Sequence, residues 1–185
     1  MTEGSRPVLV SDERTSADQT PVDAERLRTL AVMTLDGMAV PPQMEVTVML
    51  VDTDRMADLN QEHMGHEGPT DVLAFPLDAV DDTVPDRPAI LGDVVLCPAV
   101  AAAQAPENDS TPQAEMELLI VHGILHLLGH DHAEPEEERV MFTLTYKLLA
   151  TFLASNPAPI AESSTAEPSH AQPVPARPSA GQDHT

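Results

Sequence analysis

The sequence predicts a mixed α/β (α+β) fold, a single small mixed sheet covered by helices. Three observations predict it. Val- and Met-rich runs with strand-like alternation dominate the first half, apolar residues at helical spacing dominate the second, and no internal repeat splits the 185 residues into two cores. A typical domain of roughly 100 to 200 residues leaves room for one such unit and a tail. The hydrophobic fraction of 42% supplies a core, but with aromatics at 2% Leu, Val, Met and Ala must fill it. The nine methionines therefore read as core filler, and Cys97 as a buried strand residue.

The elements follow in order. Pro7 to Val10 reads as a short strand. Thr20 and Pro21 then offer an N-cap and first position for a helix with Leu27, Leu30, Ala31, Thr34 and Leu35 on one face, ended by Gly37. Met44 to Val51 alternates with polar Glu45 and Thr47, the pattern of a strand with one wetter face. Thr53 caps a short helix carrying Met56, Leu59 and His63. Two further strands, Thr70 to Phe75 and Leu91 to Cys97, flank an acidic loop with Asp81, Asp82, Pro85 and Pro88. Thr111 and Pro112 open a helix with Glu115 and Glu117 near its positive end and an apolar body reaching Leu128, where Gly129 stops it. After a tight turn, Glu134, Pro135 and Glu136 to Glu138 begin a last helix presenting Val140, Leu144, Leu148 and Phe152. The domain is thus expected over residues 1–154. Residues 155–185, with six prolines among Ala and Ser and no apolar periodicity, read as a disordered acidic tail.

Charge and cysteine usage narrow the function. Thirty-one acids against nine Lys plus Arg give −22, which disfavours tight nonspecific attachment to DNA, RNA backbones or anionic membranes. One cysteine excludes an intramolecular disulfide and a cysteine-based zinc knuckle. The first residues carry no basic segment followed by an apolar stretch, and no uncharged apolar run approaches about 18 residues, so a cytoplasmic location is expected.

The chemistry lies in His122-Gly-Ile-Leu-His126-Leu-Leu-Gly129-His130-Asp131-His132, which holds four of the eight histidines. Helical i, i+4 spacing sets His122 and His126 about 40° apart around the axis and about 6 Å along it, within reach of one ion. Gly129 can reverse the chain so that His132 returns as a third ligand, with His130 outside the first shell. Three imidazoles and an open fourth position suit one catalytic zinc ion per chain, at the end of the central helix. Asp131 reads either as an acceptor orienting an imidazole N–H or as a turn cap. The same spacing occurs in metzincin peptidases, HExxHxxGxxH, but Gly123 stands where their glutamate base does. A peptidase would need a base from elsewhere, such as Glu117.

Together with Leu59-Asn60, the strand Thr70-Asp-Val-Leu-Ala-Phe-Pro76 and Gly92-Asp93, this histidine motif resembles the YbeY family of endoribonucleases, across roughly residues 7 to 153. The resemblance implies a single α/β domain, zinc on His122, His126 and His132 as the catalytic centre, and single-strand-specific cleavage in ribosomal RNA processing, including maturation of the 16S 3′ end, and in ribosome quality control. It also implies a functional role for Thr70 and Asp71, which the pattern alone reads as strand-start and turn residues. Many members carry an arginine, placed to bind phosphate, where this chain has Met64; His63 and His66 flank that position and are weaker phosphate contacts at neutral pH. With a charge of −22 as well, a ribosomal protein or assembly factor is an expected partner beside ribosomal RNA. A non-enzymatic assembly factor is the remaining alternative. The nucleophile stays open between a metal hydroxide and the substrate 2′-OH with the metal-bound water as its base, and His130 or Asp131 can relay protons in either case.

Overall fold

The computed structural model describes residues 6–15, 18–85, 87–131 and 133–157. Strand β1 (Val8–Asp12) leads through helix α1 (Ala24–Gly37) to β2 (Met44–Leu50), α2 (Thr53–Met64), β3 (Val72–Pro76) and β4 (Ala89–Leu96). Helices α3 (Pro98–Gln104), α4 (Pro112–Leu127) and α5 (Pro135–Ser155) complete the described chain. The four strands form one sheet in the order β1-β2-β4-β3, with β1–β2 and β2–β4 parallel and β3–β4 antiparallel. Parallel neighbours need crossovers, and α1 supplies the first. The mixed α/β sheet covered by helices is therefore as expected.

Alternation along the strands gives each face its own cover. Met44, Val46, Val48 and Leu50 of β2, with Val94 and Leu96 of β4, turn to one face and pack with Leu27, Leu30, Ala31 and Leu35 of α1 and Ile120 and Ile124 of α4. Val95 and Cys97 turn to the other and meet Met56 and Leu59 of α2. Helix α4 is the central element, buried among the sheet, α1 and α5. At the β2–β4 pairing the register slips between Glu45 and Val46, leaving Leu91 unmatched beside Gly92. Gly92 has φ of +150°, and a Cβ there would lie 2.3 Å from the Phe75 carbonyl oxygen, so the Gly92-Asp93 pair marks a bulge only glycine can form.

Several expected boundaries move. Helix α1 starts after Asp23, whose carboxylate accepts from Arg26 N–H, rather than at Thr20 and Pro21; Thr20 N–H is held by Asp18 instead. Gly37 ends α1 as expected, with Leu148 of α5 against it, and the positive φ after the helix falls on Ala39. Asp52, not Thr53, caps α2 by accepting from Arg55 N–H. Strand β3 begins at Val72 because Thr70 and Asp71 are spent on the turn into it. Cys97 is buried but lies just past β4, as the residue preceding α3. On α5, Met141, Thr145 and Phe152 are buried, whereas Val140 is exposed. Thr111 and Glu134 cap α4 and α5 as their sequences require, the latter in a reciprocal capping box with Glu137. Of the expected tail, 155–185, Ser155 is instead the last residue of α5, Asn156 and Pro157 follow it, and the remainder lies outside the described residues.

Candidate active site

The site forms where α4 ends. Its last turns present His122 and His126, both half-buried, on one side. Their Nε2 atoms stand 3.2 Å apart and the rings meet edge to face, with centroids 4.7 Å apart and planes at 88°. Leu128 closes the helix, and Gly129 takes φ of +83°, the left-handed conformation that turns the chain. The turn is held by Gly129 N–H to the His126 carbonyl and His130 N–H to the Leu125 carbonyl. It brings the His130 carbonyl oxygen 2.9 Å from His126 Nδ1. With Nδ1–H donating to that carbonyl, the lone pair of His126 sits on Nε2, facing His122. His130 thus enters through its backbone. Asp131 is exposed, and His132 lies outside the described residues.

The donor set fits zinc. Tetrahedral coordination with bonds of about 2.0–2.1 Å sets neighbouring nitrogens about 3.3 Å apart, close to the His122–His126 separation. Among the described residues no group of three His, Cys, Asp or Glu is arranged to hold a metal ion, and the expected third ligand is outside them.

A cavity of about 340 Å³ opens on the His122 side, bordered by Asp71, Gln104, Asn108, Glu115 and Phe142. Asp71 enters it from the turn before β3. Its Oδ1 accepts from Val72 N–H at 2.7 Å and the Thr70 hydroxyl at 3.2 Å, and its carbonyl accepts from Cys97 N–H at 2.8 Å. Thr70 and Asp71 therefore do structural work at a place that also faces the histidine pair. The loop preceding them is tied to α2 by buried Asn60, whose Nδ2 donates to the Gly68 carbonyl. His63 and His66 are exposed; His63 lies edge-on to Phe75 with centroids 4.9 Å apart, and Met64 beside them is 45% exposed.

Gly123 is buried against the sheet, where a Cβ would come 2.7 Å from Val94 Cγ1. A glutamate base has no room there. Glu117 is also unavailable: it is buried, and its Oε1 accepts from Arg26 Nε at 2.6 Å and from Gln113. Sequence reasoning missed Phe142, whose ring centroid lies 6.0 Å from that of His122; its place one turn after Glu138 on α5 carried no signal of its own.

Fold and site together define a mixed α/β protein built around a histidine pair at the end of a central helix. Residues 12–153 match the family described as Endoribonuclease YbeY, and the chain belongs to that family. Proteins named Endoribonuclease YbeY are similar over most of its length. That of Thermobifida fusca is 53% identical over 133 residues, covering 70% of this chain and 86% of the relative. That of Beutenbergia cavernae is 49% identical over 148 residues, covering 78% and 99%. A Thermotoga maritima protein solved in solution superposes with a TM-score of 0.55 at 28% identity, over 81% of this chain and 93% of that one.

Proposed function

We propose that this chain is a zinc-dependent, single-strand-specific endoribonuclease of ribosomal RNA processing, acting in the cytoplasm with a ribosomal protein or assembly factor as partner. The observation that carries the reading is the facing His122–His126 pair, with His126 oriented by the His130 carbonyl, in a chain of the YbeY family. His122, His126 and His132 hold the metal. When bound, zinc supplies Lewis acidity toward a phosphoryl oxygen and lowers the pKa of a water at its open position.

The chain's own groups arrange the rest. The His130 carbonyl fixes the His126 tautomer, and Gly129 sets the turn that places it. Asp71, held by Val72 N–H, faces the same cavity as His122, where it orients the attacking hydroxyl of water or of the ribose 2′-OH. That oxygen bonds to phosphorus as the bond from phosphorus to the leaving ribose oxygen breaks, and the proton given up by the attacking hydroxyl is balanced, through solvent, by the one the leaving oxygen takes. Exposed His63 and His66 are weaker phosphate contacts than an arginine, so the partner supplies much of the affinity that a chain of −22 lacks. Among the described residues no helix is long and apolar enough to cross a membrane.

Neither position considered for a peptidase base supplies one, since Gly123 faces Val94 and Glu117 is bonded to Arg26. The test is a matched set of oligonucleotides given to the metal-loaded full chain: single-stranded RNA, the same strand in a duplex, and one with a deoxyribose at the cut site. Cleavage of the first and not the second is the expected result, and the third assigns the nucleophile. Turnover of casein with all three untouched would overturn the proposal.

A further inference from the structure

We propose that the groove leading from the histidine pair between α4 and α5 is a base-stacking track for the single-stranded RNA, with Phe142 and Tyr146 as its platforms. The inference rests on the endoribonuclease reading above and adds to it the part of the substrate that this surface holds.

The chain has three phenylalanines, one tyrosine and no tryptophan. Phe152 is fully buried, as an aromatic-poor core would require, yet the sole tyrosine is 59% exposed. Its position is not isolated. Residues 142 and 146 are one turn apart on α5, and their rings stack with centroids 6.4 Å apart and planes at 24°. The Phe142 ring in turn lies 6.0 Å from the His122 ring with planes at 34°. Three rings of similar tilt thus run from a metal-facing histidine out to solvent.

Phe142 and Tyr146 border a groove of about 820 Å³ walled by Leu118, Leu149 and Leu153, and Phe142 also borders the smaller cavity that His122 lines. The groove's charged groups are all acidic: exposed Asp109, Glu115, which accepts from Asn108 Nδ2, and Glu117, which accepts from Arg26 and Gln113. Such a groove repels phosphates and accepts flat apolar faces. Bases therefore turn inward onto the rings while the sugar–phosphate chain stays on the solvent side. This supplies affinity without cations, which suits a charge of −22, and it tolerates sequence because every base has a π-face. It also selects single strands, since the bases of a duplex are stacked on one another and are not free to splay onto a side chain.

The lone tyrosine makes the test direct. Incorporating 3-fluorotyrosine gives the full chain a single ¹⁹F resonance, at Tyr146. Titration with a single-stranded RNA oligonucleotide is expected to shift it, whereas an abasic strand of equal charge and the matching duplex leave it in place. Tyr146→Ala and Tyr146→Leu are expected to weaken binding and raise KM for single-stranded RNA by about tenfold, with an unchanged salt dependence, and Tyr146→Phe to retain both. An equal shift with the abasic strand, or wild-type KM in Tyr146→Ala, would overturn the track while RNA cleavage persists; absence of cleavage by the wild type would instead strike the endoribonuclease reading. A resonance that moves with protein concentration before RNA is added would assign the groove to a second copy and overturn the proposal.

Discussion

Gly123 sits between His122 and His126 in sequence and faces Val94 and Val72 of the sheet in space. From the motif it reads as a missing catalytic base, which is correct as chemistry and silent about cause. The cause is Val94: a Cβ at 123 would press on a stiff β-branched side chain within the sheet. Gly123→Ala is expected to lower stability, because overpacking of about 1–3 kcal/mol exceeds the roughly 1 kcal/mol of helix propensity gained. Denaturant unfolding of both singles and of the Gly123→Ala, Val94→Ala double is expected to show favourable coupling, and strict additivity would contradict this packing account. His130 shows the opposite lesson. From sequence its side chain reads only as a possible proton relay, whereas its carbonyl lies 2.9 Å from His126 Nδ1. Elemental analysis should therefore find zinc retained in His130→Ala and lost in His126→Ala.

Among the elements, the faces of α1 and α4 and the caps of α4 and α5 were legible, because apolar periodicity and Thr-Pro or Glu-Pro starts are local signals. The starts of α1 and α2 were not, since two cap-competent residues stand close together in each, Thr20 and Asp23, Asp52 and Thr53, and tertiary contacts choose between them. Short α3, made mostly of alanine, has no amphipathic pattern to announce it and went unread. Nor did sequence reveal that Glu117 clamps three helices: Arg26 bonds it, donates to the Asn156 carbonyl and lies 4.7 Å over the Phe152 ring. Arg26→Ala strands a buried carboxylate and is expected to cost about 3–5 kcal/mol, whereas the Arg26→Met, Glu117→Leu pair should recover most of that loss in thermal unfolding. Where β1 ends, the hydrogen bonds from the Arg14 guanidinium hold the Asp12 carboxyl below its usual range. A folded pKa below the unfolded value of about 3.9 gives stability that is present above that value and lost as pH falls through the depressed one. With Asp12 half-exposed the effect is about 0.5 kcal/mol, and Asp12→Asn should flatten the stability curve below about pH 4.

At the scale of the whole molecule, an acidic chain of −22 carries out a reaction on a polyanion. The fold resolves that conflict by confining the chemistry to one end of α4, where two imidazoles face each other and the nearby cavity is walled by Leu118, Leu119 and Phe142 as well as by acids. The architecture and the histidine pair were legible in the sequence; the groove beside them was not, because it is assembled from α4, α5 and the segment after α3, which are distant in the chain. The most direct test is RNA cleavage by the zinc-supplemented full chain beside His122→Ala and His126→Ala, with folding of each verified by circular dichroism. The account predicts internal cleavage of single-stranded RNA by the wild type and a loss of at least about 100-fold in both folded variants. Cleavage at the wild-type rate by either variant would contradict it.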